Sequence, residues 1–377
     1  MKIPYGSQYI DDNDIQAVID VLKGDWLTQG PNIDTFEKAF AQYVNAKYAI
    51  AFNSGTSALH GAMFAANVTV GDEIITSPIT FAASANCGVY MGATPVLADI
   101  DPKTYCIDPE EIKKTISQKT KAIIPVDLAG YPVDMDKIKE TTKDTDIVIV
   151  EDAAHALGAT RKGEQIGTQA DMTMFSFHPV KHITTAEGGM ITTNNKEYYE
   201  KLKLFRSHGI TKDADKLQKN DGPWYYEMQT LGYNYRITDM QCALGLSQLK
   251  KADKFINRRI QLADRYDKAF KDNPLIQTPP RPKEHDGRHV FHIYPILLDK
   301  SLDRKEIFIK LRENGIFCQV HYIPIHHQPY YQKQFNYQTS QFPKANDYYQ
   351  REITIPLFPK MTDEEQAYVI ENINKLT

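Results

Sequence analysis

The chain reads as an α/β protein with a mainly parallel sheet, followed by a smaller α+β unit. Three observations predict this. Short apolar runs alternate with helical stretches through the first two-thirds of the chain. The segment Asn273 to Asp286, with Pro274, Pro279, Pro280 and Pro282, then breaks the pattern and reads as a connection. Beyond it, strand and helix signals alternate over a shorter span. With 377 residues there is room for two sizeable cores, and the expected division is 1–250 and 251–377.

The elements follow in order. Tyr48 to Phe52 reads as a strand, with Ser57 to Ala66 as the helix behind it. Glu73 to Thr76, Pro95 to Ala98, Ala122 to Val126 and Ile147 to Val150 read as further buried strands. The last is four β-branched residues in a row, which suits a strand covered on both faces. Thr173 to Phe177 is another apolar, strand-like run, and Thr238 to about Asp272 reads as one or two long helices. In the final third, His292 to Leu298 and Phe317 to Tyr322 read as strands, Arg304 to Asn314 as a helix between them, and Asp363 to Leu376 as a closing helix. No internal repeat is apparent.

Composition narrows the class. Hydrophobic residues are 42% and charged residues 24%, ordinary for a soluble globular chain. A net charge of −4 with no basic run argues against a nucleic-acid partner. The opening MKIPYGSQYIDDND lacks an apolar leader core. No apolar run approaches the ~20 residues that a membrane span needs. Cys87, Cys106, Cys242 and Cys318 are scattered without a CxxC pair, so reduced thiols fit better than disulfides or zinc. The expectation is a cytoplasmic protein with neither nucleic-acid nor membrane partner.

Three pieces carry chemistry. In IVIVEDAAHALGA, Asp152 falls at the C-terminal end of a buried strand, where open α/β sheets bind ligands. A lone Asp there is more often a turn cap, and a lone His155 more often structural. In FNSGTSAL, Gly55 permits a tight turn, while Thr56 and Ser57 offer hydroxyls at a helix start, a phosphate cradle in physical terms. An ordinary N-cap looks the same. In SFHPVKHITTAEGGM, Lys181 follows an apolar strand, an odd place for a side chain that usually seeks solvent. Taken together, an acid, an anion site and a buried amine at three strand ends match what pyridoxal phosphate demands. The lysine forms the Schiff base, the acid keeps the ring nitrogen protonated, and the helix start holds the phosphate.

These segments resemble the sugar aminotransferases of the DegT/DnrJ/StrS family, pyridoxal-phosphate enzymes of fold type I, the aspartate aminotransferase fold. The likeness runs through WLTQGPNIDTFEKAF, FNSGTSAL, EDAAHALGA, SFHPVKHITTAEGGM, LGYNYRITDMQCALGLSQL and CQVHYIPIH, in one order over nearly the whole chain. It implies a large cofactor-binding domain with a mostly parallel sheet and a small α+β C-terminal domain. It implies Lys181 as the Schiff-base lysine and Asp152 as partner of the pyridine nitrogen. His155 would lie near the ring's O3′ edge, where other members carry Gln. Phe81 would stack on the ring, and Gly55, Thr56 and Ser176 would hold the phosphate. Asn234 would reach that phosphate from a neighbouring subunit, making a homodimer with shared active sites. Thr28, Arg206, His208, His321 and Tyr322 are implied at the sugar pocket, and His292 matches a family position. Some relatives carry His for the lysine and are dehydratases; Lys181 points to transamination.

Within the family, TKAIIPVDLAG, FHPVKHITTAEGG, LFRSHGITKD and ALGLSQLKKA are most similar to the UDP-4-amino-4,6-dideoxy-N-acetyl-β-L-altrosamine transaminases of pseudaminic acid synthesis. That implies L-glutamate as amino donor and a UDP-linked 4-keto-6-deoxy sugar as acceptor. Other nucleotide 4-keto-sugars, of the UDP-bacillosamine or GDP-perosamine type, use the same scaffold. A regulatory or binding protein that keeps the cofactor without turnover is a further reading, though such proteins carry a fused DNA-binding segment. A nucleotide-binding α/β protein would need a GxGxxG fingerprint, which NSGTSAL is not. The histidines of HYIPIHHQPYY lack an acidic companion and argue weakly for a metal. Tyr330 and Tyr331 could simply pack, and His285 and His289 are expected in an exposed loop.

Overall fold

The computed structural model describes residues 1–283 and 285–377. Its centre is a seven-stranded sheet of β1 (Tyr48–Phe52), β2 (Glu73–Thr76), β3 (Thr94–Leu97), β4 (Thr120–Ile124), β5 (Val148–Asp152), β6 (Met172–Ser176) and β7 (Gly189–Thr193). The spatial order is β1-β7-β6-β5-β4-β2-β3. β7 runs antiparallel to both neighbours, and every other pairing is parallel. Six of these strands are legible in sequence to within about two residues. β7 is not, because Gly189 and two threonines make it look like the loop that precedes it.

Strand alternation divides the core. Val148 and Val150 of β5, Met172 and Met174 of β6, and Ile50 and Phe52 of β1 share one cluster with α3 (Gly55–Ala65) and α4 (Ala83–Tyr90). Ala49, Ala51, Phe175 and Met190 face the other way. There they meet α2 (Pro31–Tyr43), which follows α1 (Asp12–Lys23) in the chain. Phe40 packs on Phe175 at 5.1 Å and on Phe177 at 5.4 Å between ring centroids. Burying such a ring contributes ~1.5–3 kcal/mol, against ~0.5–1.5 kcal/mol for the edge-to-face geometry. Burial therefore dominates, and the pairing mostly fixes orientation.

After α5 (Lys196–Arg206), the long helical stretch splits at Lys250 and Lys251 into α6 (Asp239–Leu249) and α7 (Ala252–Phe270). At the break, Lys251 Nζ bridges Asp11 and Asp14 at the head of α1, 2.7 Å from each. The first residues of α7 join the α2 cluster, while Leu262 to Phe270 join the C-terminal core. That core is built on β8 (Tyr294–Leu298), paired antiparallel to β9 (Glu352–Ile355) and to Ile276–Gln277. Around it lie α8 (Arg304–Glu313), α9 (Pro343–Arg351) and α10 (Asp363–Leu376). The strand expected over Phe317 to Tyr322 is cut short. Only Ile316–Phe317 pairs, with Ile3–Pro4, and Gln319 makes one bridge to Thr354. The next ladder position fails because the Glu352 carboxylate takes the His321 N–H at 2.8 Å.

One buried cation ties the two parts together. Arg259 of α7 donates to the carbonyls of His292 and Leu357 at 2.9 Å each, and to Val180 at 3.3 Å. A buried carbonyl left unpaired costs ~1–3 kcal/mol, so this side chain pins the residue before Lys181 to the C-terminal core.

Candidate active site

A cavity of about 610 Å³ opens at the C-terminal ends of the parallel strands. Lys181 enters it from the connection between β6 and β7. Ser176 stands opposite Gly189, Phe177 N–H donates to Gly188 O at 2.9 Å, and Thr185 N–H donates to Phe177 O at 3.0 Å. The connection is thus closed at its base. Its Gly-Gly pair allows close approach: a Cβ at Gly188 would lie 2.2 Å from Thr185 Oγ1. At Gly189 it would lie 2.5 Å from Ser54 O. Burial pushes the Lys181 amine down to about 8, against the pull of Asp152 and with help from Arg259. Its Nζ lies 3.4 Å from His292 Nε2.

Asp152 ends β5 on the cavity face, while Glu151 points to the opposite face and accepts from Thr173 Oγ1 at 3.0 Å. Asp152 is held by two donors, Ser84 Oγ to Oδ2 at 2.6 Å and Ala154 N–H to Oδ1 at 3.1 Å. Ser84 is itself bonded to Thr80 at 2.7 Å. Burial raises the Asp152 carboxyl, and the Ser84 and Ala154 bonds and the Lys181 charge oppose that.

The start of α3 forms the far wall. A capping box between Ser54 and Ser57 satisfies the Ser57 amide, and Ala58 N–H returns to Ser54 O. Among the described residues, the Gly55 and Thr56 amides have no acceptor, and both residues line the cavity at the positive end of the helix. Ser176 stands beside them: a Cβ on Gly55 would lie 3.5 Å from Ser176 Oγ. Ser57, a second hydroxyl of the motif, turns inward to Asn53 Oδ1 at 2.7 Å.

Aromatic and imidazole groups complete the lining. Phe81 is 62% exposed at the mouth, 6.1 Å from the Tyr322 ring. His155 Nδ1 accepts from the Ala129 amide at 3.2 Å, which leaves the proton on Nε2, 3.1 Å from Tyr322 Oη. Burial keeps this imidazole neutral, well below its ordinary range. Thr354 Oγ1 donates to Glu352 at 2.6 Å and so must accept from His321 Nδ1 at 2.9 Å. His321 is neutral too, pushed down to about 3 by burial.

Ten of the residues singled out in sequence therefore meet at one cavity: Gly55, Thr56, Phe81, Asp152, His155, Ser176, Lys181, His292, His321 and Tyr322. Four do not. Arg206 is corrected outright: its guanidinium pairs with Glu37 and donates to Ala51 O at 2.7 Å, a structural role away from the cavity. Thr28 is exposed and bridges to Thr238, and His208 and Asn234 lie on an exposed loop edge. His289 is also corrected, being buried with Nδ1 accepting from Phe291 N–H at 2.9 Å. Tyr331 is buried and donates to Asn86 Oδ1 at 2.6 Å, while Tyr330 is exposed. Ser84 escaped notice, although its i,i+4 spacing from Thr80 was a signal. Tyr5 also lines the cavity, carried there by the pairing of Ile3–Pro4 with a distant segment, which leaves no local trace.

Comparison with known proteins follows the same lines. The sequence profile of the DegT/DnrJ/EryC1/StrS aminotransferase family matches residues 8–374. MJ1066 of Methanocaldococcus jannaschii, uncharacterized, is 45% identical over 97% of this chain and 95% of its own. The Bacillus subtilis spore coat polysaccharide biosynthesis protein SpsC is 42% identical, covering 99% and 97%. The Campylobacter jejuni UDP-4-amino-4,6-dideoxy-N-acetyl-beta-L-altrosamine transaminase is 39% identical, covering 98% and 96%. Among solved structures, Helicobacter pylori PseC superposes with a TM-score of 0.92 at 37% identity over 100% of this chain and 99% of its own. Streptococcus pneumoniae Spr1654 in its PLP form gives 0.92 at 33%, over 100% and 98%. Among the described residues no helix is long and apolar enough to cross a membrane.

Proposed function

Since the chain belongs to the DegT/DnrJ/EryC1/StrS aminotransferase family and is a pyridoxal-phosphate-dependent sugar aminotransferase of fold type I, we propose that it moves the amino group of L-glutamate to C4 of a UDP-linked 4-keto-6-deoxy-N-acetyl-hexose. The product would be UDP-4-amino-4,6-dideoxy-N-acetyl-β-L-altrosamine. One observation carries the reaction type: an amine brought down to about 8 by burial, a buried carboxylate and a helix N-terminus converge on one cavity. The Campylobacter jejuni and Helicobacter pylori relatives support the sugar.

The residues fit the cofactor. Asp152 can accept from a protonated ring nitrogen while Ser84 and Ala154 hold its oxygens in place. The open Gly55 and Thr56 amides, with Thr56 and Ser176 hydroxyls, suit a phosphate. Phe81 offers a ring face at the cavity mouth, and His155, fixed as a neutral donor from Nε2, suits a polar ring edge. When bound, the cofactor would supply the electron sink that lets a proton leave the donor's α-carbon in one half-reaction and a proton be added at the sugar carbon in the other. Lys181 Nζ is the group that moves the proton in each, since the amine is uncharged above about pH 8 and can accept one. His321 and Tyr322 line the same cavity, but burial leaves the imidazole too weak a base and the phenol too weak an acid to compete for it.

Within one chain, Asn234 stays outside the cavity, so its implied contact requires a second copy. The stretch of chain before Asn234 exposes Trp224 at 72%, Met228 at 63% and Leu231 at 69%, apolar surface that a neighbouring subunit would cover. Co-expressed Lys181→Ala and Asn234→Ala chains, each inactive alone, are expected to recover partial activity as hybrids. Hybrids that form yet stay inactive would sink the shared site.

A second reading rests on SpsC, more similar to this chain than the Campylobacter jejuni enzyme, whose name points to coat polysaccharide. A panel of UDP-, dTDP- and GDP-linked 4-keto-6-deoxy sugars with glutamate, read by mass, separates the two. The N-acetylated UDP sugar is expected to give the 4-amino product fastest; a faster GDP or dTDP substrate would overturn the assignment.

A further inference from the structure

His292 has no role in the reaction as described, yet its ring lies within hydrogen-bond reach of the reacting amine. Its ring is 3% exposed, and the backbone fixes it on both sides. Its N–H donates to Ala129 O at 2.9 Å, and its carbonyl accepts from Arg259 at 2.9 Å. Nε2 stands 3.4 Å from Lys181 Nζ. Nδ1 is buried with no partner among the described residues.

That unpaired nitrogen selects the tautomer. A buried N–H without an acceptor is rarer and costlier than an unused lone pair. The ring proton therefore belongs on Nε2, aimed at Nζ. A neutral amine has a lone pair to receive it, whereas an ammonium offers only donors. We propose that His292 is a positioning residue that favours the uncharged form of the Lys181 amine, its Nε2–H donating to Nζ and its buried, unpartnered Nδ1 disfavouring the opposite tautomer. This deepens the assignment of Lys181 as the reacting amine and rests on it.

The surrounding groups leave this arrangement intact. From β5, Asp152 draws the lysine toward its charged form. Arg259 of α7 opposes that. His155, 4.3 Å from the His292 ring, is locked as a neutral imidazole. His182, 5.7 Å away, lies 3.2 Å from the Val290 carbonyl through Nε2, and burial keeps it neutral. His321, from the segment following Ile316–Phe317, is neutral as well. With Lys181 and Arg259 alongside, burial also keeps His292 from taking a second proton.

The test reads the amine rather than the reaction. Full-length protein freed of cofactor is trace-labelled with acetic anhydride across pH, and acetylation of Lys181 is followed by peptide mass spectrometry. His292→Gln supplies an oxygen that accepts from an ammonium, so the labelling midpoint is expected to rise by about one pH unit. His292→Phe, which removes the donor without adding an acceptor, is expected to raise it by less than the Gln variant does. Equal midpoints in wild type and His292→Gln, at matched melting temperatures, would overturn the proposal. If the Gln variant does not fold, ¹⁵N-histidine spectra of the wild type decide it: an Nδ1–H tautomer at His292 refutes the idea and Nε2–H upholds it. Because no sugar is present, this outcome is independent of the substrate panel.

Discussion

Lys181→Ala is expected to retain cofactor through Asp152, Thr56 and Ser176 while losing transamination by roughly 10²–10⁴-fold or more. The reasoning begins with position. The residue sits on a connection closed at its base by Phe177 and Gly188 and pinned through Val180 by Arg259, so the amine has little freedom to miss. Its charge is the second factor. Burial brings the amine to about 8, so below that pH it is an ammonium and cannot accept a proton, and above it the lone pair is free. The lysine-dependent step should therefore rise with pH through about 8 and then level off, and that limb should vanish in the Ala variant. Lys181→Arg is expected to fare little better, because a guanidinium stays protonated. Absorbance after dialysis measures retention, and product mass measures turnover. A Lys181→Ala protein that aminates a keto-sugar at near wild-type rate would show that another group moves the proton.

Asp152→Asn is expected to weaken both cofactor retention and turnover while leaving the fold intact. The isosteric amide can keep the Ala154 bond through its oxygen. Ser84, whose bond with Thr80 runs in either direction, can turn to accept from the amide nitrogen. What is lost is the negative charge facing the ring nitrogen. A hydrogen bond to a charged group is worth ~1.5–3 kcal/mol, so the cofactor Kd should rise about tenfold to a hundredfold. Removing one preorganised electrostatic partner typically lowers kcat by ~10²–10³. Glu151→Gln is the control: one residue away but on the other face of the sheet, it should leave cofactor affinity unchanged. Equal effects from the two substitutions would mean that general acidity near β5, not the directed carboxylate of Asp152, matters.

The strands that bear the site were readable because each is a short apolar run bounded by turn residues. β7 was not, although it pairs with both β1 and β6 and thereby aims the lysine-bearing connection. Its signal is carried by backbone spacing: a Cβ at Gly189 would lie 2.5 Å from the Ser54 carbonyl, a contact between segments that no sequence window contains. Arg206 was placed at the sugar pocket by the resemblance alone, and only the fold brings Glu37 beneath it.

Local pattern by itself determined the α/β class, the strand ends that carry Asp152 and Lys181, and the helix start at Gly55 and Thr56, because periodicity and capping act over a few residues. The protonation and direction of those groups belong to the tertiary structure alone. Ser84 on α4 orients Asp152, Arg259 on α7 and His292 beside β8 surround Lys181, and Tyr5 arrives from the first residues of the chain. Desolvation and hydrogen-bond direction depend on which distant segments exclude water from the same point, and that is decided only when the chain has packed.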